Sequence, residues 1–455
     1  MPEIRTTHAS RQHIVPAGEP TPGGGPPPLA ATPPSPFPRM FRLRQRMPET
    51  PAIDCAAVLA SQFQQQGITR LFDRGARIAV AVGSRGIANL SAIVSALLDL
   101  LRSAGAVPFI VPAMGSHGGA TSEGQRGILT EYGVTEAAMG VPIHDSMEVA
   151  ALGQTPDGIP VWTSTAALAS DGIFLVNRVK PHTDFGGDLG SGLVKMSVVG
   201  LGKRSGAVMF HAAAARSGHA AVLRALANVT LTKLPIVAGV AIIEGFHHET
   251  ARLGVLRRDQ ITVREPELLA EAARLLPRLP FNDVDLLVVD RIGKNISGTG
   301  MDPNVTGRYV EGYRSSLGLS VDPGPTVRRI FVRELTSETR GNAIGIGMAD
   351  FTTTRLVQSM EREATFTNAL TALSVQAAKI PIHFPSDREA LIQALASLGL
   401  PDPRKARILR IRDTLTLGEV EVSEVFLENV RARPDLEPLT SPAEVAFDEH
   451  GNLTE

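Results

Sequence analysis

Residues 77–114 read RIAVAVGSRGIANLSAIVSALLDLLRSAGAVPFIVPAM and contain two apolar runs separated by a helical pattern. The first run, residues 77–82, is apolar after Arg77 and is bounded by charge and glycine, which is typical of a strand buried in a parallel sheet. Residues 89–105 show an apolar helical face that ends at Gly105. The order strand, helix, strand predicts the α/β class, with parallel strands joined by crossover helices.

The same alternation extends along most of the chain. Further strands are predicted at residues 172–179 and 234–243, and a second α/β unit opens with DVDLLVVD at residues 283–290. We therefore expect two α/β domains with mainly parallel sheets and an active-site cleft between them, because ligands of such sheets bind beyond the carboxyl ends of the strands.

The predicted domain boundaries follow composition. Residues 1–50 are expected to be a disordered arm, since the first forty residues hold 11 of the 33 prolines. Residues 51–278 would be an N-terminal domain that binds a cofactor and carries catalysis, and residues 279–432 a C-terminal α/β domain. The polar residues 433–455 are read as an extended tail.

Bulk composition excludes several classes of protein. The net charge of -1 does not favour nucleic acid or an anionic membrane as a partner, and no apolar stretch approaches the roughly 20 residues that span a bilayer. The single cysteine, Cys55, excludes an intrachain disulfide and a cysteine-rich metal site. We expect a cytoplasmic protein that acts on a small molecule, with its oligomeric state left open.

Two loops at predicted strand ends carry polar groups. Ser84 and Arg85 follow the first strand, where the guanidinium could grip a carboxylate or phosphate with two parallel bonds. His117 follows the second strand and precedes Gly118 and Gly119, which would let backbone amides approach a ligand. For each loop alone, an exposed surface residue is an equally good or better interpretation.

The loop with the most chemistry is KPHTDFGGDLGSGLVKM, residues 180–196, which contains His182, Gly192 and Lys195. His211 follows one helix later. These spacings are too long for a zinc motif on one helix. The apolar neighbours of Lys195 would lower the pKa of its amine and make it nucleophilic, although a lysine at a helix start can also simply reach into solvent.

A basic, glycine-rich segment follows at residues 200–206. It contains Lys203, which could bind the phosphate of a cofactor, but it lacks the spacing of a P-loop.

Taken together, these residues resemble the nickel-pincer-dependent lactate racemase family. The pattern is Arg85 after the first strand, GSHGG with His117 after the second, and then His182, Lys195 and His211 in order. The likeness covers roughly residues 50 to 430.

The resemblance implies a specific cofactor and chemistry. Family members carry a nickel-pincer nucleotide, a pyridinium-3,5-bisthiocarboxylic acid mononucleotide that binds Ni(II). By position Lys195 would tether it, His211 would be the nickel ligand, and Ni(II) suits four ligands in a tetragonal plane. His117 and His182 would exchange the substrate hydroxyl proton on opposite sides while hydride leaves C2 and returns, so that C2 is inverted.

The same resemblance assigns the remaining contacts. Arg85 would hold the substrate carboxylate. The cofactor would also contact a set of loop residues, namely Ser84, Gly118, Gly119, Gly192 and Lys203. Enzymes that synthesise the cofactor would be partners.

The expected substrate loop departs from the family. Counting from Asp302 and Asn304, Gly307 and Val310 stand where a glutamine and a lysine are expected. Arg308 or Lys294 would then substitute, with Asn304 as a further contact.

We therefore expect an isomerase, a racemase or epimerase of a 2-hydroxy acid. The alternatives are a pincer-dependent isomerase of a sugar or another carbinol, and a homologue that binds nucleotide or metal without catalysis. A lysine Schiff-base enzyme is a further possibility, but it does not explain His211.

Overall fold

Apolar runs in the first half of the chain form a five-stranded sheet. A computed structural model describes residues 35–83, 86–183, 187–309 and 324–454. Within them the strand order is β3-β2-β6-β7-β8, with β8 antiparallel to β7 and the other pairs parallel. These strands are β2 (Arg77–Val82), β3 (Val107–Pro112), β6 (Gly172–Arg178), β7 (Ile236–Glu244) and β8 (Thr250–Arg257).

The predicted strand, helix, strand unit is confirmed at residues 77–114. β2 is buried except at its first residue, as expected for a strand covered on both faces. The helix between β2 and β3, Leu90–Ser103, buries one apolar face against the sheet and ends just before Gly105, whose φ is +87°. Parallel pairing of β3, β2 and β6 places the loops that follow them at one edge of the sheet.

The second half of the chain builds a larger, mixed sheet. Its order in the described residues is β12-β11-β10-β9-β13-β14-β1-β15, parallel from β12 to β13 and antiparallel from there to β15. Its strands are β1 (Met40–Gln45), β9 (Asp283–Ile292), β10 (Thr326–Leu335), β11 (Phe351–Thr353), β12 (Ile382–Phe384), β13 (Ile408–Ile411), β14 (Glu419–Ser423) and β15 (Leu436–Pro438), while β4 (Val149–Gln154) and β5 (Pro160–Ser164) form a separate hairpin.

Strand β1 corrects the predicted arm. Residues 40–45 were expected to be disordered, but they form a strand of the second sheet between β14 and β15. The reason is visible in the alternation of the segment: Phe41 and Leu43 are buried, whereas Arg42 is exposed. The disorder predicted for residues 1–34 lies outside the described residues.

The predicted tail is also folded onto this sheet. β15 pairs with β1, and Ala443 and Met40 exchange two backbone hydrogen bonds of 2.8 Å. Phe447 and Leu453 pack against the apolar cluster beneath the second sheet. The chain from Phe37 to Glu455 clusters as one compact unit, and the predicted division at residue 278 stays a prediction.

Helices cover both sheets, and in the described residues none is long and apolar enough to cross a bilayer. The helices are α1 (Cys55–Gln65), α2 (Leu90–Ser103), α3 (Ser122–Glu131), α4 (Glu136–Met139), α5 (Thr165–Leu168), α6 (Leu193–Lys195), α7 (Lys203–Ser217), α8 (His219–Lys233), α9 (Arg258–Arg274), α10 (Pro303–Thr306), α11 (Thr354–Ser359), α12 (Arg362–Thr371), α13 (Asp387–Ala396) and α14 (Leu427–Arg431). A π-helical turn, Met196–Gly200, directly follows α6.

Candidate functional site

Lys195 and His182 meet at the edge of the first sheet. Lys195 ends α6, and its amine contacts Nε2 of His182, which lies in the loop after β6. The helix continues at once into the π-helical turn Met196–Gly200, a local widening that is frequent at functional sites. The two residues are 13 positions apart in sequence, and the loop between them folds back so that their side chains touch. The structure thus brings together two of the predicted site residues.

The loop that carries His182 is closed at its base by backbone bonds. Lys180 and Ser191 exchange two backbone hydrogen bonds of 2.8 Å, which brings the start of the loop next to the start of α6. Gly190 permits this approach, because a Cβ there would lie 3.3 Å from the His182 nitrogen and closer still to the Lys180 carbonyl. This closure sets the distance between His182 and Lys195.

A loop of the second sheet supports the same segment. The amine of Lys180 donates to Oδ2 of Asp302 at 2.8 Å, and Asp302 is 2% exposed. Nδ2 of Asn304 donates to the His182 carbonyl at 3.3 Å and to Oδ1 of Asp302 at 2.9 Å. Asn304 was predicted to contact substrate, and in this structure its amide binds the backbone of His182.

The electrostatic state of Asp302 follows from these contacts. Burial by itself would raise the pKa of Asp302, but the Lys180 ammonium and the bonds from Asn304 outweigh it and hold the pKa below the ordinary value. The carboxyl is therefore ionised at neutral pH. Since Asp302 also donates its backbone N–H to Thr414 at 2.9 Å, it anchors the His182 loop to the second sheet.

His211 lies on α7 near the Lys195 amine. Burial, the Lys195 charge and His219 together lower the pKa of His211 to about 4. Its imidazole, half-buried beside Phe210 at a ring distance of 5.4 Å, is therefore neutral at physiological pH. A neutral imidazole has the lone pair that a metal ligand needs.

His117 lies at the start of the loop after β3, next to the π-helical turn. Gly115, two residues earlier, donates its N–H to the Gly200 carbonyl at 3.2 Å. Gln125 holds the loop from behind, because its Nε2 donates to the Gly115 carbonyl at 2.8 Å and to the His117 carbonyl at 3.4 Å. His117 is half-buried on a loop that packs beside the turn that follows Lys195.

The glycines after His117 serve different purposes. Gly118 has φ +64°, and a Cβ on it would lie 2.6 Å from the Gln125 nitrogen, so only glycine fits against α3. Gly119 also has a positive φ of +66°, but a Cβ there would meet none of the described atoms within 4 Å. Close packing of the loop therefore requires Gly118, and Gly119 is exposed.

Lys203 was predicted to bind the phosphate of a cofactor, but its side chain points into the core. Its side chain is fully buried, and Nζ donates to the Pro112 carbonyl at 2.7 Å and to Oε1 of Gln125 at 3.1 Å. Burial lowers the pKa of Lys203 to about 8, against an opposing effect of Asp145. The Lys203 amine thus supports the His117 loop by binding Gln125, which in turn binds the backbone of that loop. A phosphate-binding lysine would be exposed, whereas the core encloses this one.

Arg308 was expected to contact the substrate, but in this structure its side chain is buried and bonded to other protein groups. The residue is 7% exposed, and Nη1 donates to Oδ2 of Asp350 at 2.7 Å. Its Nη2 donates to the carbonyls of Val327 and Arg328, both at 3.0 Å. A guanidinium shared among these groups holds β10 and the adjoining loop together, and it is buried away from solvent.

The other predicted site residues are placed as follows. The amine of Lys294 binds Oδ1 of Asn368 on α12, beside the second sheet. Ser84 and Arg85 lie outside the described residues, so the predicted grip on the substrate carboxylate stays a prediction. Among the residues that the structure describes, no group of three His, Cys, Asp or Glu side chains could by itself hold a metal ion.

Glu265 was missed by the sequence analysis. It is fully buried on α9, and its Oε2 accepts the Val194 N–H at 3.0 Å at the start of the helix that ends in Lys195. Burial raises the pKa of Glu265 to about 7, while bonds from the backbone of Val194 and Leu193 oppose the shift. A signal was available: Glu265 interrupts the apolar face of α9 at helical spacing, four residues after Ile261.

Comparison with known proteins finds similarity to one protein family. The lactate racemase N-terminal domain family matches residues 39–222. Among solved structures, the lactate racemase apoprotein from Thermoanaerobacterium thermosaccharolyticum is similar with a TM-score of 0.45 and 11% identity, over 82% of this chain and 93% of that chain. No match is found among curated protein sequences. Residues 39–222 of the chain are thus similar to the lactate racemase N-terminal domain family.

Proposed function

We propose that the chain is a racemase or epimerase that inverts C2 of a 2-hydroxy acid with a lysine-tethered nickel-pincer nucleotide. The observation that carries this proposal is the contact between the Lys195 amine and His182 Nε2, with His211 within electrostatic reach of the same amine. In this proposal Lys195 would be the tether, His182 an acid/base group and His211 the neutral imidazole that binds the metal.

The residues present fit the proposed cofactor in their chemistry. Lys195 would hold it through an amide-type bond to its nitrogen, and His211, which stays neutral well below pH 7, would be the nickel ligand. When bound, the cofactor would supply the group that accepts the hydride from the substrate C2 and gives the hydride back to C2. His182, which touches the Lys195 amine, would take up and give back the hydroxyl proton.

The second acid/base group would be His117. The two enantiomers present their hydroxyls to opposite sides, so inversion needs a second imidazole that approaches from another element. His117 comes from the loop after β3, whereas His182 comes from the loop after β6, and the two loops lie at the same edge of the sheet. The bonds from Gln125 would hold the backbone at His117 in place.

A second candidate function is isomerisation of a sugar or another carbinol without a carboxylate. Burial of Arg308 and the bond between Lys294 and Asn368 favour this candidate, because both cations were expected to contact the substrate and both bind protein groups here. Arg85 would be the remaining cation.

A substrate panel separates these functions. Protein produced together with the cofactor-synthesis enzymes would be given chiral 2-hydroxy acids, sugar acids and neutral sugars, each labelled with deuterium at the reacting carbon. Inversion of a hydroxy acid with the label retained supports the proposal, since retention indicates hydride transfer. Inversion of neutral sugars alone supports the carbinol candidate, and loss of the label to water contradicts both.

A further inference from the structure

Glu265 is a buried carboxyl on a helix face that is otherwise apolar. Its neighbours on that face of α9, Ile261 and Leu268, are buried in the apolar core, and Glu265 itself has no exposed surface. Burial of a carboxyl in such surroundings costs free energy unless hydrogen bonds compensate. The compensation is incomplete, because Oε1 has no hydrogen-bond partner among the described residues. A group kept at such a cost serves a purpose beyond stability of the core.

The contacts of Glu265 all concern the start of the helix that ends in Lys195. Its Oε2 accepts the Val194 N–H at 3.0 Å, one of the amides that a helix start leaves without an internal partner. Its carboxyl also fills the space beside Gly192, where a Cβ would lie 2.5 Å from the carboxyl carbon. Gly192 was predicted to bring the backbone close to the cofactor, and in this structure it admits the carboxyl of Glu265.

We propose that Glu265 is a positioning residue that fixes the first turn of this helix and thereby directs the Lys195 amine towards His182. The inference rests on the proposed function, in which Lys195 carries the cofactor. Val194 links the two residues: its amide binds Glu265, and the next residue along the chain presents the amine. The raised pKa of Glu265, about 7, agrees with a carboxyl that has little solvent around it.

A matched pair of substitutions tests this role in the protein without cofactor. Glu265→Gln keeps an oxygen that can accept the Val194 N–H, whereas Glu265→Leu keeps the volume and removes the acceptor. Leu268→Ala, on the same face of α9, reports the effect of lost packing alone. Each protein would be acetylated with a water-soluble amine reagent, and Lys195 would be quantified by peptide mass spectrometry against the exposed Lys405.

Glu265→Leu is expected to raise the acetylation rate of Lys195 by about threefold or more, because the amine leaves its contact with His182 and becomes accessible. Glu265→Gln and Leu268→Ala should stay close to wild type. An unchanged or lower rate in Glu265→Leu, or an equal rise in Leu268→Ala, overturns the inference. Thermal unfolding of the same variants shows that each is folded, and an unfolded Glu265→Leu would be replaced by Gly192→Ala, which displaces the carboxyl and should raise the rate as well.

Failure of the positioning role and failure of the proposed function give different results. If Lys195 acetylation follows the expected pattern but no cofactor attaches to Lys195, the positioning role stands and the proposed function fails. If cofactor attaches in every variant at the wild-type rate and acetylation is unchanged, the positioning role fails and the proposed function stands.

Discussion

The amine of Lys180 donates to Oδ2 of Asp302 at 2.8 Å, and this ion pair joins the loop that carries His182 to the second sheet. Asp302 is 2% exposed, so Lys180→Met would leave a buried, unpaired carboxylate. We expect a loss of about 3–5 kcal/mol in the free energy of unfolding, measured by urea denaturation. The double variant Lys180→Met/Asp302→Asn should lose less than the sum of the two single variants, and strict additivity would show that the pair is not coupled.

The low pKa of His211 predicts a pH dependence of stability. The folded protein binds a proton on His211 only near pH 4, whereas an unfolded histidine binds it near pH 6.5. As the pH falls through this window, the unfolded chain takes up the proton first, so His211 contributes a loss of stability between pH 6.5 and pH 4.

His211→Gln isolates that contribution. The variant should lose less stability than wild type between pH 6.5 and pH 4, as measured by urea denaturation of the protein without cofactor. Parallel curves for the two proteins would mean that folded His211 titrates like an exposed histidine.

Gly118 and Gly119 form a matched pair for testing the His117 loop. Both have positive φ, but only at Gly118 would a Cβ overlap α3. Gly118→Ala should therefore cost about 1–3 kcal/mol more than Gly119→Ala in the free energy of unfolding. Equal effects in thermal denaturation would show that the loop does not pack on α3 in this way.

Lys203 predicts a dependence of the same sign in the alkaline range. Its pKa of about 8 lies below the ordinary value of 10.5, so between these values the unfolded chain holds the proton that folded Lys203 has released. Lys203 should therefore make the free energy of unfolding rise with pH from about 8 to about 10.5.

Lys203→Met is the control for this prediction. In this variant the free energy of unfolding should no longer rise with pH in the alkaline range. At pH 7 it should be about 1–3 kcal/mol lower than in wild type, because the Pro112 carbonyl and Gln125 lose their donor. A variant as stable as wild type would contradict the buried position of the amine.

The four parallel strands of the first sheet could be predicted from sequence because they are largely apolar runs, whereas the edge strand β8 was not predicted. The predicted run at residues 77–82 coincides with β2 of this sheet, and in the second sheet the predicted segment at residues 283–290 lies within β9. β1 was not predicted because its short sequence contains exposed arginines, which are typical of a polar loop. The strands that pair with it, β14 and β15, also lie almost 400 residues away along the chain.

The site was predictable in part. His182, Lys195 and His211 were identified by their residue types, and the structure brings the first two into contact. For Lys203 and Arg308 the expected contacts with cofactor and substrate stay predictions. A sequence does not show which way a cation faces, and in the structure both side chains turn inward to carbonyl, carboxamide or carboxylate groups. Contacts across long sequence distances, such as those between Glu265 and Val194, depend on tertiary packing.

The attachment of a cofactor to Lys195 tests the central claim most directly. Protein would be produced with the cofactor-synthesis enzymes, and the intact mass and the peptide containing Lys195 would be measured together with bound nickel. We predict a mass adduct on Lys195 that is absent from Lys195→Ala, and nickel that falls in His211→Ala while the adduct remains. An unmodified Lys195 in protein produced beside a working cofactor pathway would contradict the account.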